Sequence, residues 1–353
     1  MSEAPPPAEP LSAIFSRLIA NTGPISLMHY MGESNIRYYA SRDPLGAGGD
    51  FITAPEISQM FGELIGLWLA DIWIRAGREA PVNYVELGPG RGTLARDALA
   101  AAKRYGLTPG VHFVEGSTEF RDIQLAAVPS ANFHHDLSTI PMYGPVLIVG
   151  NEFLDALPVR QLVRTPDGWR ERMVACEGER FIPVAGMQPM DAAVPEARRE
   201  APDGTIIETC PGAAATVFEI AGRLLEQGGA ALLIDYGHDM LHDGSTLQAL
   251  REHRMVDPFA MPGEADLTAH VDFATLAQIA QSRGVKWLGT APQGRWLREL
   301  GIETRADSLA AFAPEHGPAI HAAKERLIGE GQMGLLFKVM GLAAPGWPDG
   351  AGF

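Results

Sequence analysis

Two short clusters in the sequence carry the groups best equipped for chemistry. The first is Tyr84-Val85-Glu86-Leu87-Gly88-Pro89-Gly90-Arg91-Gly92-Thr93-Leu94, an apolar strand that runs into three alternating glycines and then a helix. Glycines there allow a tight turn and let a ligand lie against bare backbone. A dinucleotide fingerprint needs glycine at 88, 90 and 93. Position 93 is Thr, which disfavours a nicotinamide dehydrogenase. The second cluster follows the apolar run Val146–Val149 and reads Gly150-Asn151-Glu152-Phe153-Leu154-Asp155-Ala156-Leu157-Pro158. The cluster holds one amide, Asn151, a candidate for a hydrogen bond to cofactor or acceptor, and two carboxylates, Glu152 and Asp155, which suit a guanidinium, whose forked donors stay protonated near neutral pH. A carboxylate there also accepts the proton that such a group sheds on reacting. Taken alone, the turn reads as a cap at Asp155 beside a solvated Glu152. Beside the glycine turn it reads as a site.

Further acids fall where a sheet would place them. Glu115 ends the next apolar strand, 23 residues past Gly92, where a carboxylate accepts from two ribose hydroxyls. Asp136 follows His134 and His135, as a binding group or as a turn cap. Asp50, Thr53 and Glu56 lie on a loop running into a helix ahead of the sheet. That segment is expected to fold over the cofactor site as a lid, to pack the N-terminal helices onto the sheet through Phe51, Ile52, Ile57 and Phe61, or both.

The elements that must hold these groups follow from hydrophobic period. Leu11, Ile14, Phe15, Leu18 and Ile19 mark a helix that Gly23-Pro24 stops. Phe61, Leu64, Ile65, Trp68, Leu69 and Ile72 mark a second, with Pro55-Glu56 in its first turn. From Pro81 onwards short apolar strands alternate with helices, the pattern of βαβ units. Strands are expected at 83–87, 111–115, 132–134, 146–150, 230–235, 285–288 and 335–340. Helices are expected at 93–105, 118–127, 213–226 and 273–283. This gives an N-terminal helical region over 1–80 and a sheet domain over 81–353. Insertions at about 159–205 (with a turn at Pro166-Asp167-Gly168) and 236–270 are expected over the C-terminal edge of the sheet, where open parallel sheets bind ligands.

Composition narrows the function classes. The chain has 353 residues, 28 Lys and Arg against 43 Asp and Glu, and a net charge of −15. That balance argues against nucleic-acid or anionic-membrane binding. Two cysteines, Cys176 and Cys210, form no framework and predict a reducing compartment. No apolar run approaches the roughly 18 residues of a membrane span. The N-terminal residues lack a basic region and read as neither secretory signal nor transit peptide. His238 and His242, or His270 with Asp272, lack the further ligands a zinc site needs, so no metal is expected. His270 is instead a candidate for lining the acceptor pocket.

The spacing Glu86-x-Gly88-x-Gly90-x-Gly92 resembles the first motif of class I S-adenosylmethionine (SAM) methyltransferases. Longer signatures make the likeness more specific: Gly49–Glu63, Asn151–Pro158, Leu232–Gly237, Asp266–Phe273 and Met333–Val339. Over nearly its whole length the chain resembles the MidA-like family of SAM-dependent methyltransferases. The family includes a mitochondrial arginine methyltransferase that assists complex I assembly. The resemblance implies a Rossmann-like class I fold with a mostly parallel seven-stranded sheet and SAM as cofactor. It implies cofactor contacts from Glu86, Gly88, Gly90, Gly92 and Glu115, with Asp136 facing the adenine amino group, and the reading of the N-terminal loop as a lid adds Thr53 and Glu56 to the cofactor site. It also implies a protein-arginine acceptor, in studied relatives a respiratory complex I subunit taken to symmetric dimethylarginine. One departure is Gly116-Ser117-Thr118 after Glu115, where the family pattern carries a Ser-Pro-type continuation. A cytoplasmic protein is expected, matrix-located in eukaryotic relatives, as a monomer or homodimer. Methylation of another protein or a small molecule, and a non-catalytic assembly role on the same scaffold, remain as alternatives.

Overall fold

Short apolar runs without polar alternation belong in strands buried on both faces. The computed structural model, which describes residues 9–41, 52–116, 120–240 and 242–353, places them there. Among the described residues seven strands build the main sheet: β1 (Asn83–Leu87), β2 (Gly110–Val114), β3 (Ala131–His134), β4 (Val146–Asn151), β5 (Gly229–His238), β6 (Lys286–Pro292) and β7 (Phe337–Ala343). Their order is β3-β2-β1-β4-β5-β7-β6. Strands β1 to β5 run parallel, and β7 runs antiparallel between β5 and β6. A further two-residue strand, Val271–Asp272, pairs parallel to the end of β5. β1, β4 and β7 are buried along their whole length. The α/β, mostly parallel, seven-stranded sheet expected from the sequence is the one that forms.

The chain divides into two units. The larger takes Pro44–Asp155, Gly212–Leu241 and His270–Phe353 and holds this sheet. Its helices include α1 (Ala54–Ile57), α2 (Gln59–Arg75), α3 (Thr93–Lys103), α4 (Arg121–Ala127), α5 (Pro211–Gln227), α6 (Phe273–Arg283), α7 (Gln293–Glu299), α8 (Ile302–Phe312), α9 (Gly317–Ile328) and α10 (Met333–Leu336). The smaller unit takes Met1–Asp43, Ala156–Pro211 and His242–Ala269. It carries helices Leu11–Thr22 and Leu27–Ser41, a five-stranded sheet and a three-stranded sheet. Its core joins Phe15, Tyr30 and Phe181, with ring centroids 5.1–6.2 Å apart. Pro166-Asp167 makes the expected turn, with Thr165 paired to Gly168.

Helix α2 fixes where α3 starts. Gly62 and Gly66 face α3, and a Cβ at Gly66 would lie 2.1 Å from the Ala98 carbonyl oxygen. Only a bare backbone permits that approach, so this pair seats α3 and the turn before it.

Several elements differ from their expected bounds. Pro55 and Glu56 sit in α1, not in the first turn of the long helix. Ser58 is extended there, and its hydroxyl caps α2 by accepting from Met60 N at 3.2 Å. Residues 333–336 are helical, and β7 begins only at Phe337. The expected strand at 285–288 runs to Pro292, past an irregularity between Trp287 and Gly289. Helices α7 to α9 fill a stretch the periodicity left unassigned. The Pro44–Gly49 loop, Asp50, Phe51 and the Ser117-Thr118 departure lie outside the described residues, as do residues 1–8.

Two histidines link β2 to β3. His112 Nδ1 lies 3.0 Å from His134 Nε2, and His112 Nε2 lies 3.2 Å from Asn83 Oδ1. Burial and then His134 push His112 down to about 4, and burial with Arg223 pushes His134 down against Asp136. Both folded values lie below the unfolded one, so the unfolded chain binds more protons between about pH 6.5 and 4. Stability contributed by neutral His112 is therefore present above pH 6.5 and lost as pH falls through that window. His112→Gln keeps a donor and an acceptor without the titration. Its Tm should fall less than that of the wild type between pH 7 and pH 5, as read by calorimetry.

Candidate active site

The sheet order reverses between β1 and β4. From β1 the chain steps outward through β2 and β3, then returns to β4 and leaves the other way through β5. The crevice beyond the carboxyl ends of such a pair is where open α/β sheets bind ligands. Both clusters singled out in the sequence sit at that point, one after β1 and one after β4.

After β1 the backbone is left-handed at all three glycines, with φ of 61° at Gly88, 51° at Gly90 and 76° at Gly92. L side chains rarely adopt such angles, so the turn keeps its backbone bare. Gly88 N donates to Val114 O at 3.0 Å, tying the turn to β2. A Cβ at Gly88 would lie 2.9 Å from Phe153 Cδ2, so the turn after β1 and the turn after β4 touch. Below the turn, Glu86 is buried and Tyr84 OH donates to its Oε2 at 2.5 Å. Burial pushes the Glu86 carboxyl up to about 8, against that hydrogen bond. The two residues lie two apart on one strand and so face the same side.

Gln124 on α4 was not singled out in the sequence. It is fully buried and donates from Nε2 to Gly90 O at 2.7 Å. Its Oε1 has no hydrogen-bond partner. A polar side chain at that position on an otherwise apolar helix face was the available signal.

The segment with α1 reaches both clusters. Thr93, the first residue of α3, donates from Oγ1 to Glu56 Oε1 at 2.5 Å. Ala54 N donates to Glu152 Oε1 at 3.0 Å. Thr53 occupies the N-cap position of α1 without a side-chain cap bond. Its carbonyl accepts from Glu56 N and Ile57 N.

After β4, Glu152 adopts a left-handed φ of 50°, rare outside glycine. Its Oε1 also accepts from Asn151 Nδ2 at 3.1 Å. Burial, then the Asp155 charge, raises Glu152 to about 7, opposed by the Ala54 and Asn151 hydrogen bonds and by Arg326. Asn151 Oδ1 is buried without a partner. Asp155 is buried nearby. Asp235 on β5, which the sequence reading did not place in the site, stands behind this turn and is held high by burial and by Asp155 and Glu152. Its signal was an acid at the end of an apolar strand, Leu232-Leu233-Ile234-Asp235. Beside it, Tyr236 meets His270 edge to face at 5.5 Å.

Two candidates stand apart from this convergence. Glu115 follows β2, with its N–H bonded to His134 O at 2.9 Å, and is half-buried. Asp136 is exposed, and its Oδ1 accepts from Ser138 N at 2.9 Å and from Ser138 Oγ, capping a short 3-10 turn.

The arrangement fits an adenosyl sulfonium ligand on its own geometry. A bare left-handed turn admits close approach, and a buried Asn151 oxygen and a buried Gln124 oxygen lack protein donors. Among the described residues no helix is long and apolar enough to cross a membrane.

Comparisons with known proteins agree with this geometry. Residues 64–291 match the model of a family described as S-adenosyl-L-methionine-dependent methyltransferases. The mouse mitochondrial protein arginine methyltransferase NDUFAF7 is 36% identical over 350 residues, spanning 88% of this chain and 77% of that protein. Its Drosophila melanogaster homolog is 35% identical over 367 residues, spanning 92% and 82%. A crystal structure of a superfamily member from Burkholderia thailandensis, bound to S-adenosylhomocysteine, superposes with a TM-score of 0.82 at 28% identity. That match covers 96% of this chain and 95% of the other. A methyltransferase sheet, a glycine turn at its switch point and relatives matched over most of the chain lead to one conclusion: this protein belongs to the MidA-like family of SAM-dependent methyltransferases, with SAM as its methyl donor.

Proposed function

We propose that this protein methylates arginine in a protein acceptor, by family likeness a respiratory complex I subunit or its bacterial counterpart. The observation that carries the reading is the turn after β4. Asn151 gives one amide hydrogen to Glu152, which leaves Asn151 Oδ1 open as an acceptor beside the Glu152 and Asp155 carboxylates. A guanidinium brings donors only and matches a planar pair of carboxylates. The mouse relative's name, protein arginine methyltransferase, supports the same acceptor class.

In this reading Gly88, Gly90 and Gly92 shape the turn around SAM, with Glu86 beneath them. Glu115 takes the ribose. Asp136 takes the adenine amino group through Oδ2, since both cap bonds use Oδ1. Thr53 and Glu56 close the methionine end. Bound SAM supplies a methyl group on a positively charged sulfur that leaves as a thioether. The chain's own groups orient the acceptor nitrogen in line and take its proton, with Glu152 as the acceptor of that proton. The protein works in the cytoplasm, as a monomer or homodimer.

The test is incubation with methyl-labelled SAM and an extract of cells lacking this protein, followed by mass spectrometry of the labelled products. Label on arginine nitrogen supports the proposal, and the spectrum distinguishes mono- from dimethylation. Label confined to other residues or to small molecules overturns it.

A further inference from the structure

Asp235 lies in β5, one residue past the last rung that β5 shares with β4, and is 1% exposed. The ladder between β4 and β5 ends at Asn151 opposite Ile234, with one further bond from Glu152 N to Ile234 O at 2.9 Å. Beyond that point the chain leaves the sheet, and its backbone donors need other acceptors. Asp235 supplies them. Its Oδ2 accepts from Leu154 N at 2.9 Å and Asp155 N at 3.2 Å, and its Oδ1 accepts from Tyr236 N at 3.0 Å. Three amides on one carboxylate fix it in place.

We infer that Asp235 is a positioning residue for methyl transfer: its carboxylate clamps the turn from Glu152 to Asp155 and so sets how those two side chains face the acceptor. The inference rests on the reading that Glu152 and Asp155 hold the acceptor. The same turn contains Glu152 in its left-handed conformation, which persists only if the surroundings hold it. The clamp is the nearest such hold on the C-terminal side. Ala54 N and Asn151 Nδ2 grip the Glu152 side chain, whereas Asp235 grips the backbone that follows. Asp235 lies behind the turn and acts through it.

Two variants separate the acceptor atoms from their place. Asp235→Asn keeps the size and loses one acceptor oxygen. Asp235→Glu keeps both oxygens and moves them by one methylene. Both should exchange the Leu154 and Asp155 amides at least about tenfold faster in hydrogen-exchange measurements on ligand-free protein, while β1 amides stay protected. Both should bind SAM with a Kd and KM within about threefold of the wild type and lower kcat at least about tenfold. Unchanged exchange at Leu154 and Asp155, or a kcat within twofold of the wild type in both variants, overturns the inference. If neither variant folds, the wild type decides: Leu154 and Asp155 amides protected like β1 support the clamp, and amides exchanging like those of the exposed Gly178-Glu179 turn refute it. Failure of the arginine reading looks different. It puts the label on another acceptor, and the kcat comparison is then made with that acceptor.

Discussion

Glu152→Gln should leave SAM binding intact and lower kcat by about 10²–10³-fold, the usual worth of a positioned proton acceptor. The amide oxygen can still accept from Ala54 N and Asn151 Nδ2, so the side chain keeps its place. What it loses is basicity. Burial raises the Glu152 carboxyl to about 7, with Asp155 adding to the rise. The ionised form that can take a proton therefore fills as pH rises through about 7, while an arginine acceptor stays protonated throughout. Wild-type kcat should climb with pH up to that value, and the limb should vanish in the variant. The same shift has an opposite effect on stability. A folded pKa above the unfolded one means that the native state binds more protons between about 4.5 and 7, so stability falls as pH rises across that window. Glu152→Gln should then be more stable than the wild type at pH 8, by roughly 3 kcal/mol. Kinetics at several pH values and parallel thermal melts check both signs. An assembly factor without catalysis would show the stability change and no kinetic limb.

Gly90→Val should abolish SAM binding, weakening Kd by at least about 100-fold, or ~2.7 kcal/mol. Gly90 has a φ of 51°, which a β-branched residue adopts only under strain. A side chain there also occupies the bare face of the turn. Strain alone is controlled by Gly178→Val, at a φ of 62° with nothing within 4 Å of an added Cβ. That control should lose stability and keep SAM affinity. Calorimetric titration of both variants separates the effects, and a Gly90→Val protein that binds within threefold of the wild type would sink the assignment of the turn.

Residues buried on both faces were the most legible in the sequence. β1 matched to the residue because Tyr84, Val85 and Leu87 form a short apolar run that ends in glycines. α6 matched as well, since Asp272 and Gly284 are specific stops: Asp272 Oδ1 accepts from Thr275 N, and Gly284 takes a left-handed φ. Helices α8 and α9 were missed because they bury few residues; in α8 these are Ile302 and Ala306. A helix with so thin an apolar stripe carries little periodic signal. Glu152, Asp155 and the glycines were legible because each is adjacent in sequence to a strand end. Asp235 was not, because it meets Leu154 and Asp155 some 80 residues away, through the pairing of β4 and β5. Spacing along a chain cannot show a contact that only the sheet creates.

The place of β7 has a consequence for synthesis. It is the last of the seven strands to leave the ribosome, yet it lies between β5 and β6. Until residues 337–343 emerge, β5 keeps an open flank, and β6 has none of its seven-stranded partners. From the synthesis of β5 until that of β7 the nascent chain thus carries an unpaired sheet border, joined by a second once β6 is made, the kind that templates wrong pairings between molecules. A chain cut short before Phe337 should retain the glycine turn and both carboxylates of the β4 turn and still be poorly soluble.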